Sequence, residues 1–135
     1  MTVLLDTHFW IWWVTGQDTL TKAERQALGT AAESGELALS AISLWEAQML
    51  HARGRLQLEL PFEAWILQAA AAPVVQLLPL DVAVILALNN LPRSFHGDPA
   101  DRIIVATARA RDLPLATRDR GIRRSKAVRL WAVGN

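Results

Sequence analysis

His96-Gly97-Asp98-Pro99-Ala100-Asp101-Arg102-Ile103-Ile104-Val105-Ala106-Thr107-Ala108 reads as a helix start followed by an apolar, small-residue helix. Aspartate at position 98 is suited to cap free amides, and Pro99 fits the first helical position, where its missing N–H removes no hydrogen bond. Asp101 then falls in the first turn, near the positive end of the helix dipole. Ile103, Ile104, Val105, Ala106 and Ala108 leave little polar face, so this helix is expected to be largely buried. A buried helix opening with two aspartates three apart sets carboxylates at the rim of the core. There they cap, hold a cation, or do both.

The chain around this helix has 135 residues, 52% of them hydrophobic and 20% charged. That is the composition of a globular protein long enough to bury a core without staples, and one domain over 1–135 is expected. The absence of cysteine excludes disulfides and thiolate sites, so any metal is held by oxygen or imidazole. Only Val3-Leu4-Leu5 precedes Asp6 as an apolar run, with no basic lead. Neither a signal peptide nor a membrane span is read, and the expected location is the cytoplasm. The net charge of +1 hides an asymmetry, because residues 1–90 hold 4 Lys and Arg against 9 Asp and Glu, and residues 91–135 hold 10 against 4. The C-terminal part suits a polyanion or an acidic partner, or else carries a solvated arginine-rich face.

Short apolar segments at 3–5, 37–40, 74–78 and 113–117 read as strands, with a fifth at an edge over 127–132, where Arg129 interrupts the apolar run. Between them lie helical stretches: 9–14, with Trp10, Trp12 and Trp13; 21–33, opened by Thr21 and Glu24 in capping-box spacing; and 43–53, opened by Ser43 and Glu46 in the same spacing. Further helices follow Pro61 and Asp81. Strands alternating with helices predict an α/β fold with a mainly parallel central sheet of four to five strands flanked by helices. The tryptophan-rich helix is either enclosed by its own fold or meets another chain through Trp10, Trp12 and Trp13.

Asp6, Glu46 and Asp119 each follow an expected strand, and Asp101 starts the buried helix. In a parallel sheet all strand C-termini share one edge, so the four can converge there. Each also has a plain capping role, and Glu46 in particular can bond back to the backbone of Ser43. Converging carboxylates repel one another until one takes up a proton or a metal is recruited. Oxygen-only ligands select hard ions, Mg²⁺ or Mn²⁺, which suit phosphodiester hydrolysis. Arg118, Arg120, Arg123, Arg124 and Lys126 lie beside Asp119 and can hold a phosphate backbone. Metal-facing acids next to phosphate-facing cations is the arrangement a nuclease needs.

Taken in order, Leu4-Leu5-Asp6-Thr7-His8, Ser43-Leu44-Trp45-Glu46, Gly97-Asp98-Pro99-Ala100-Asp101-Arg102 with its Ala-Thr-Ala tail, and Ala116-Thr117-Arg118-Asp119 closely resemble PIN-domain ribonucleases, and within them the VapC toxins of type II toxin–antitoxin pairs. The resemblance runs from about residue 3 to 124. It implies a PIN-like three-layer fold, Mg²⁺-dependent cleavage of single-stranded RNA segments, a homodimer and inhibition by a cognate antitoxin. Asp6, Glu46, Asp101 and Asp119 sit where the family's acidic quartet sits, and Thr7 and Thr117 where hydroxyls often orient it. Asp98 matches a second acid of this subgroup, a cap first and a metal ligand second. His8 and His96 flank two of the acids, with roles in RNA contact, proton transfer or structure left open, while His51 reads as an ordinary helix-surface residue. Arg102 can pair with Glu46, Asp98 or a phosphate. Two other readings compete: a binding module whose acids are only caps, and a haloacid-dehalogenase-like phosphatase with Asp6 as nucleophile. The second resembles its family poorly, since position 8 is His and neither Lys22 nor Lys126 lies in a matching stretch.

Overall fold

The computed structural model of this chain describes residues 1–133 apart from Asp18 and His96, so the roles weighed for His96 lie outside the described residues. In chain order it runs β1 (Val3–Leu5), α1 (Thr7–Thr15), α2 (Lys22–Glu33), β2 (Leu37–Ser40), α3 (Ile42–Ala52), α4 (Phe62–Ala69), β3 (Gln76–Leu78), α5 (Val82–Asn89), α6 (Pro99–Arg111), β4 (Leu115–Ala116) and α7 (Arg120–Ser125). The strands form one sheet in the order β3-β2-β1-β4, parallel throughout, with Leu4 opposite both Ala38 and Leu115. Parallel strands buried on both faces favour near-continuous apolar runs, which is how β1 and Leu37-Ala38-Leu39 of β2 read, with the buried Ser40 closing β2.

Alternation along the strands builds three layers. Val3, Leu5, Leu37, Leu39 and Ala116 pack on one face with Phe9 and Trp10 of α1, Leu28 of α2, Ala47 of α3 and Trp65 of α4. Leu4, Ala38, Leu78 and Leu115 point the other way, onto Ile104, Val105 and Ala108 of α6 and Ile122 of α7. The helix that opened the sequence reading is thus the main cover of one sheet face. Its cap is as expected, with the Asp101 amide donating to Asp98 Oδ1 at 2.8 Å and Pro99 in the first turn.

Several boundaries differ from the sequence expectation. Helix α1 starts at Thr7, two residues early, because Asp6 caps it by accepting from the Phe9 amide at 2.8 Å. Strand β3 begins only at Gln76, since the Val74 and Val75 amides turn back to the Ala71 carbonyl. The fifth strand is reduced to one bridge between Leu115 and Leu130. Residue 114 is proline and the Leu113 amide bonds the Ala108 carbonyl at the end of α6, so Leu115 alone in β4 offers the neighbouring chain a ladder position.

The expected capping box at Ser43 and Glu46 does not form. Ala41 precedes α3 without a side-chain cap, and Ser40 Oγ accepts from the Ile42 amide at 3.2 Å. Ser43 lies inside the first turn, buried against α1, and both it and Glu46 bond elsewhere. The interface reading of Trp10 is corrected too. Its ring is 0% exposed, its Nε1 donates to the Ala69 carbonyl at 2.9 Å, and it packs on Trp65 at 5.3 Å, so it belongs to the core. Trp12 and Trp13 are half-buried against that core. Large apolar side chains are exposed instead on α5, at Val82, Ile85 and Leu86, and just before it at Leu77 and Leu80. Others are exposed singly at Trp45 on α3, at Leu60 just before α4 and at Leu67 on it.

Candidate active site

Every helix that carries an acid of interest begins at or near the C-terminal edge of the sheet. Asp6 follows β1 directly, Glu46 sits in the second turn of α3 after β2, and Asp119 caps α7 after β4. The fourth acid, Asp101, comes in with α6 across the sheet face. Three acids cap helices with one oxygen: Asp6 to Phe9, Asp98 to Asp101, and Asp119 to Ile122 at 2.9 Å. A carboxylate has two oxygens, so capping locks its rotamer and leaves the second oxygen for other work. Capping and site roles are therefore compatible, and the caps alone do not favour a passive module.

Electrostatics ties the acids together. Burial first, and then the charges of Asp98, Asp119, Glu46 and Asp6 acting in the same direction, together push the Asp101 carboxyl up to about 7. Asp6 is raised mainly by burial, against the lowering effect of hydrogen bonds from Thr117 and Phe9 and of nearby His8. Glu46 is raised by burial as well, with Asp98 and Asp6 adding to the shift and Thr7 and His8 opposing it. Asp98, Asp101 and Asp119 line one cavity of about 450 Å³ together with Ser94, Phe95 and Gly97. Among the described residues no three Asp, Glu or His side chains close around a point as a ready-made ligand set.

Two hydroxyls steer the acids. The Thr7 hydroxyl donates to Glu46 Oε1, and the buried Ser43 Oγ lies 2.8 Å from Thr7 Oγ1. Because the single Thr7 proton goes to the carboxylate, Ser43 is the donor in its bond to Thr7. On the far side, Thr117 Oγ1 accepts from the Asp119 amide at 3.0 Å while its proton serves Asp6. Ser43 went unnoticed in the sequence as a site residue; a small hydroxyl in a first turn signals a cap more often than a link to another helix. His8 is exposed, with its ring 5.8 Å from Trp12.

The basic residues divide into two groups. Arg118, expected to face phosphate, is instead paired with Glu24, its Nη2 2.6 Å from Oε1, and also donates to the Thr19 carbonyl. Its guanidinium lies 5.1 Å from the Phe9 ring centroid. That pairing raises the arginine's affinity for its proton and lowers the Glu24 carboxyl. Arg120, Arg123, Arg124 and Lys126 are exposed, and among the described residues none has a carboxylate partner. Arg102 donates to the Phe95 carbonyl at 3.2 Å, so it braces the loop before α6 and pairs with neither Glu46 nor Asp98.

Oxygen donors only, several of them raised by burial and then by neighbouring charge, are of the chemical type that suits a hard divalent cation. The comparisons with known proteins agree with this architecture. Ribonuclease VapC22 of Mycobacterium tuberculosis (strain ATCC 25618 / H37Rv) is 40% identical over 133 residues, covering 96% of this chain and 98% of that protein. Among solved structures, VapBC2 from Rickettsia felis bound to a DNA fragment from their promoter aligns with TM-score 0.72 at 14% identity, over 97% of this chain and 98% of that one. FitAcB from Neisseria gonorrhoeae aligns with TM-score 0.68 at 24% identity, over 97% of both chains. These two share the fold. A family model for the PIN domain matches residues 3–127, which takes in all four strands and all five acids. With sheet order, acid placement and sequence likeness in agreement, the chain belongs to the PIN-domain family.

Proposed function

We propose that this chain is a metal-dependent endoribonuclease toxin, cytoplasmic, homodimeric and neutralised by a cognate antitoxin. The observation that carries the reading is the coupling of Asp101 to Asp98, Asp119, Glu46 and Asp6 at one sheet edge of a PIN-domain chain. The similarity to a protein named a ribonuclease supports the activity, and the likeness in fold to a VapBC complex supports the partner.

Nucleases of this family use a divalent cation. Asp6, Glu46, Asp101 and Asp119 would hold it, with Asp98 in second rank, and oxygen-only donors favour Mg²⁺ or Mn²⁺. When bound, the ion supplies a more acidic water and neutralises charge on the phosphate oxygens. The chain's own residues do the rest. Helix amides fix the Asp6 and Asp119 carboxylates, and Thr7 and Thr117 orient Glu46 and Asp6. With its carboxyl raised to about 7, Asp101 is the acid of the cluster that takes up a proton while the negative charge is uncompensated. Arg120, Arg123, Arg124 and Lys126 draw the RNA backbone toward the acids, whereas Arg118 acts through its pair with Glu24.

Trp12 and Trp13, half-exposed on α1 beside His8, are the proposed contact for the antitoxin. A homodimer is supported by the apolar residues left exposed on α5, since patches of this kind mark protein contacts. No helix among the described residues is long and apolar enough to cross a membrane.

Purified protein is expected to cut a defined single-stranded RNA with Mg²⁺ or Mn²⁺ and to stop with chelator. Asp6→Asn and Asp101→Asn should abolish cutting while keeping the parental circular dichroism spectrum. Parental rates in both variants would overturn the proposal.

A further inference from the structure

The segment after β4 is a shared wall. Asp119 and Gly121 line the acidic cavity, whereas Thr117, Arg118, Arg120 and Arg123 line a second cavity of about 490 Å³ on its other side. That second cavity has three kinds of wall. Trp131 offers a partly exposed ring, held edge-on to the buried Phe9 at 6.1 Å and fixed by its amide bonding the Leu115 carbonyl. The Arg118–Glu24 pair forms a polar stretch whose charges cancel. Arg120 and Arg123 add two cations with no carboxylate partner among the described residues. Charge therefore changes across the cavity from neutral and aromatic to positive.

An unpaired nucleotide has the matching chemistry. Its base has a π-face that stacks on aromatic rings and an edge of donors and acceptors, and its phosphates seek guanidinium groups. A helix of a protein partner would find an apolar wall only along Phe9 and Trp131 to Val133, with Thr21, Glu24, Thr117 and three arginines making the rest polar. Given the ribonuclease reading, on which this step rests, we propose that the Trp131 cavity is a subsite for one single-stranded RNA nucleotide next to the cleaved bond. The base stacks on Trp131 with its edge toward the Arg118–Glu24 pair, and the flanking phosphates lie on Arg120 and Arg123. The segment from Thr117 to Arg123 then spans both parts of the reaction, placing one nucleotide while its Asp119 faces the acids.

The test is equilibrium binding in chelator, so that nothing is cut. The probes are two fluorescein-labelled eight-nucleotide RNAs, one of mixed sequence and one with the same backbone carrying abasic ribose at every position. Parent protein should prefer the RNA with bases by about tenfold or more, as one stacked base suggests. Trp131→Ala should lose most of that preference and Trp131→Phe should keep it. Arg120→Ala with Arg123→Ala should weaken both probes alike. An unchanged preference in Trp131→Ala, with RNA still cut in Mg²⁺, removes the subsite and leaves the nuclease reading standing. A parent that binds neither probe sinks both. If Trp131→Ala keeps parental RNA binding but is no longer inhibited by the antitoxin, the cavity is a protein-docking surface and the proposal fails.

Discussion

Thr7 on α1 gives its only hydroxyl proton to the Glu46 carboxylate on α3. The bond ties the first turn after β1 to the helix after β2, so two strands' ends are braced through one side chain. Thr7→Val removes the donor and leaves both Glu46 and the buried Ser43 hydroxyl short of a partner. The expected cost is about 1–3 kcal/mol of stability. Since Thr7 holds the Glu46 carboxyl down against burial, the variant's carboxyl moves up. The acid limb of the pH–rate profile for RNA cleavage should shift to higher pH. Ser43→Ala should do the same to a lesser degree, and a profile matching the parent's would show that Glu46 needs no such support.

Asp101 makes stability depend on pH in a definite direction. Its carboxyl rises from 3.8 to about 7 on folding, so between those values the folded chain keeps a proton that the unfolded chain has released. Its contribution to stability therefore falls as pH rises from about 4 to about 7 and is level beyond. Without divalent cations, Asp101→Asn should melt above the parent at pH 8. The gain is roughly 1 kcal/mol after discounting for solvent screening at this half-buried position, or a few degrees. Below pH 4 the difference should vanish.

Divalent cations should reverse that order. Adding Mg²⁺ or Mn²⁺ at pH 8 should raise the parent's melting temperature in proportion to the logarithm of the concentration, because the ion binds only the folded chain. Asp6→Asn and Asp101→Asn should respond weakly. Equal responses in parent and variants would move the ion away from these carboxylates.

Gly97 precedes the Asp98 cap in close quarters. A Cβ there would sit 2.7 Å from the Phe95 ring and 3.1 Å from Asp101 Cβ. Phe95 is buried and cannot swing aside freely. Gly97→Ala should cost about 1–3 kcal/mol by overpacking, read as a lower melting temperature, and should cut cleavage by displacing Asp101. A parental melt would show that the loop relaxes without strain.

The exposed cations predict a salt effect. Replacing Arg120, Arg123 and Arg124 together by alanine should flatten the plot of log binding constant against log salt for single-stranded RNA. Three lost phosphate contacts correspond to a slope change of about 2. Binding measured in chelator from low to moderate salt decides it, and an unchanged slope takes these residues out of the RNA path.

The parallel α/β sheet, the burial of the helix after Asp98, and aspartates standing where strands hand over to helices could all be read from residue order. These features arise from interactions within a few residues, such as caps, strand alternation and helix periodicity, and such interactions keep their form wherever the segment ends up. Partner choice was decided only in three dimensions. Whether Glu46 bonds its own helix or Thr7, whether Arg118 faces phosphate or Glu24, and whether Trp10 is core or surface all depend on groups 39, 94 and 59 positions away. The fifth strand failed for a related reason: just before its partner β4, the Leu113 amide is committed to the end of α6 and Pro114 has none to offer. Spacing along the chain carries no information about which of two nearby groups wins a proton or a cation. Packing settles that, by burying one option and leaving the other in water.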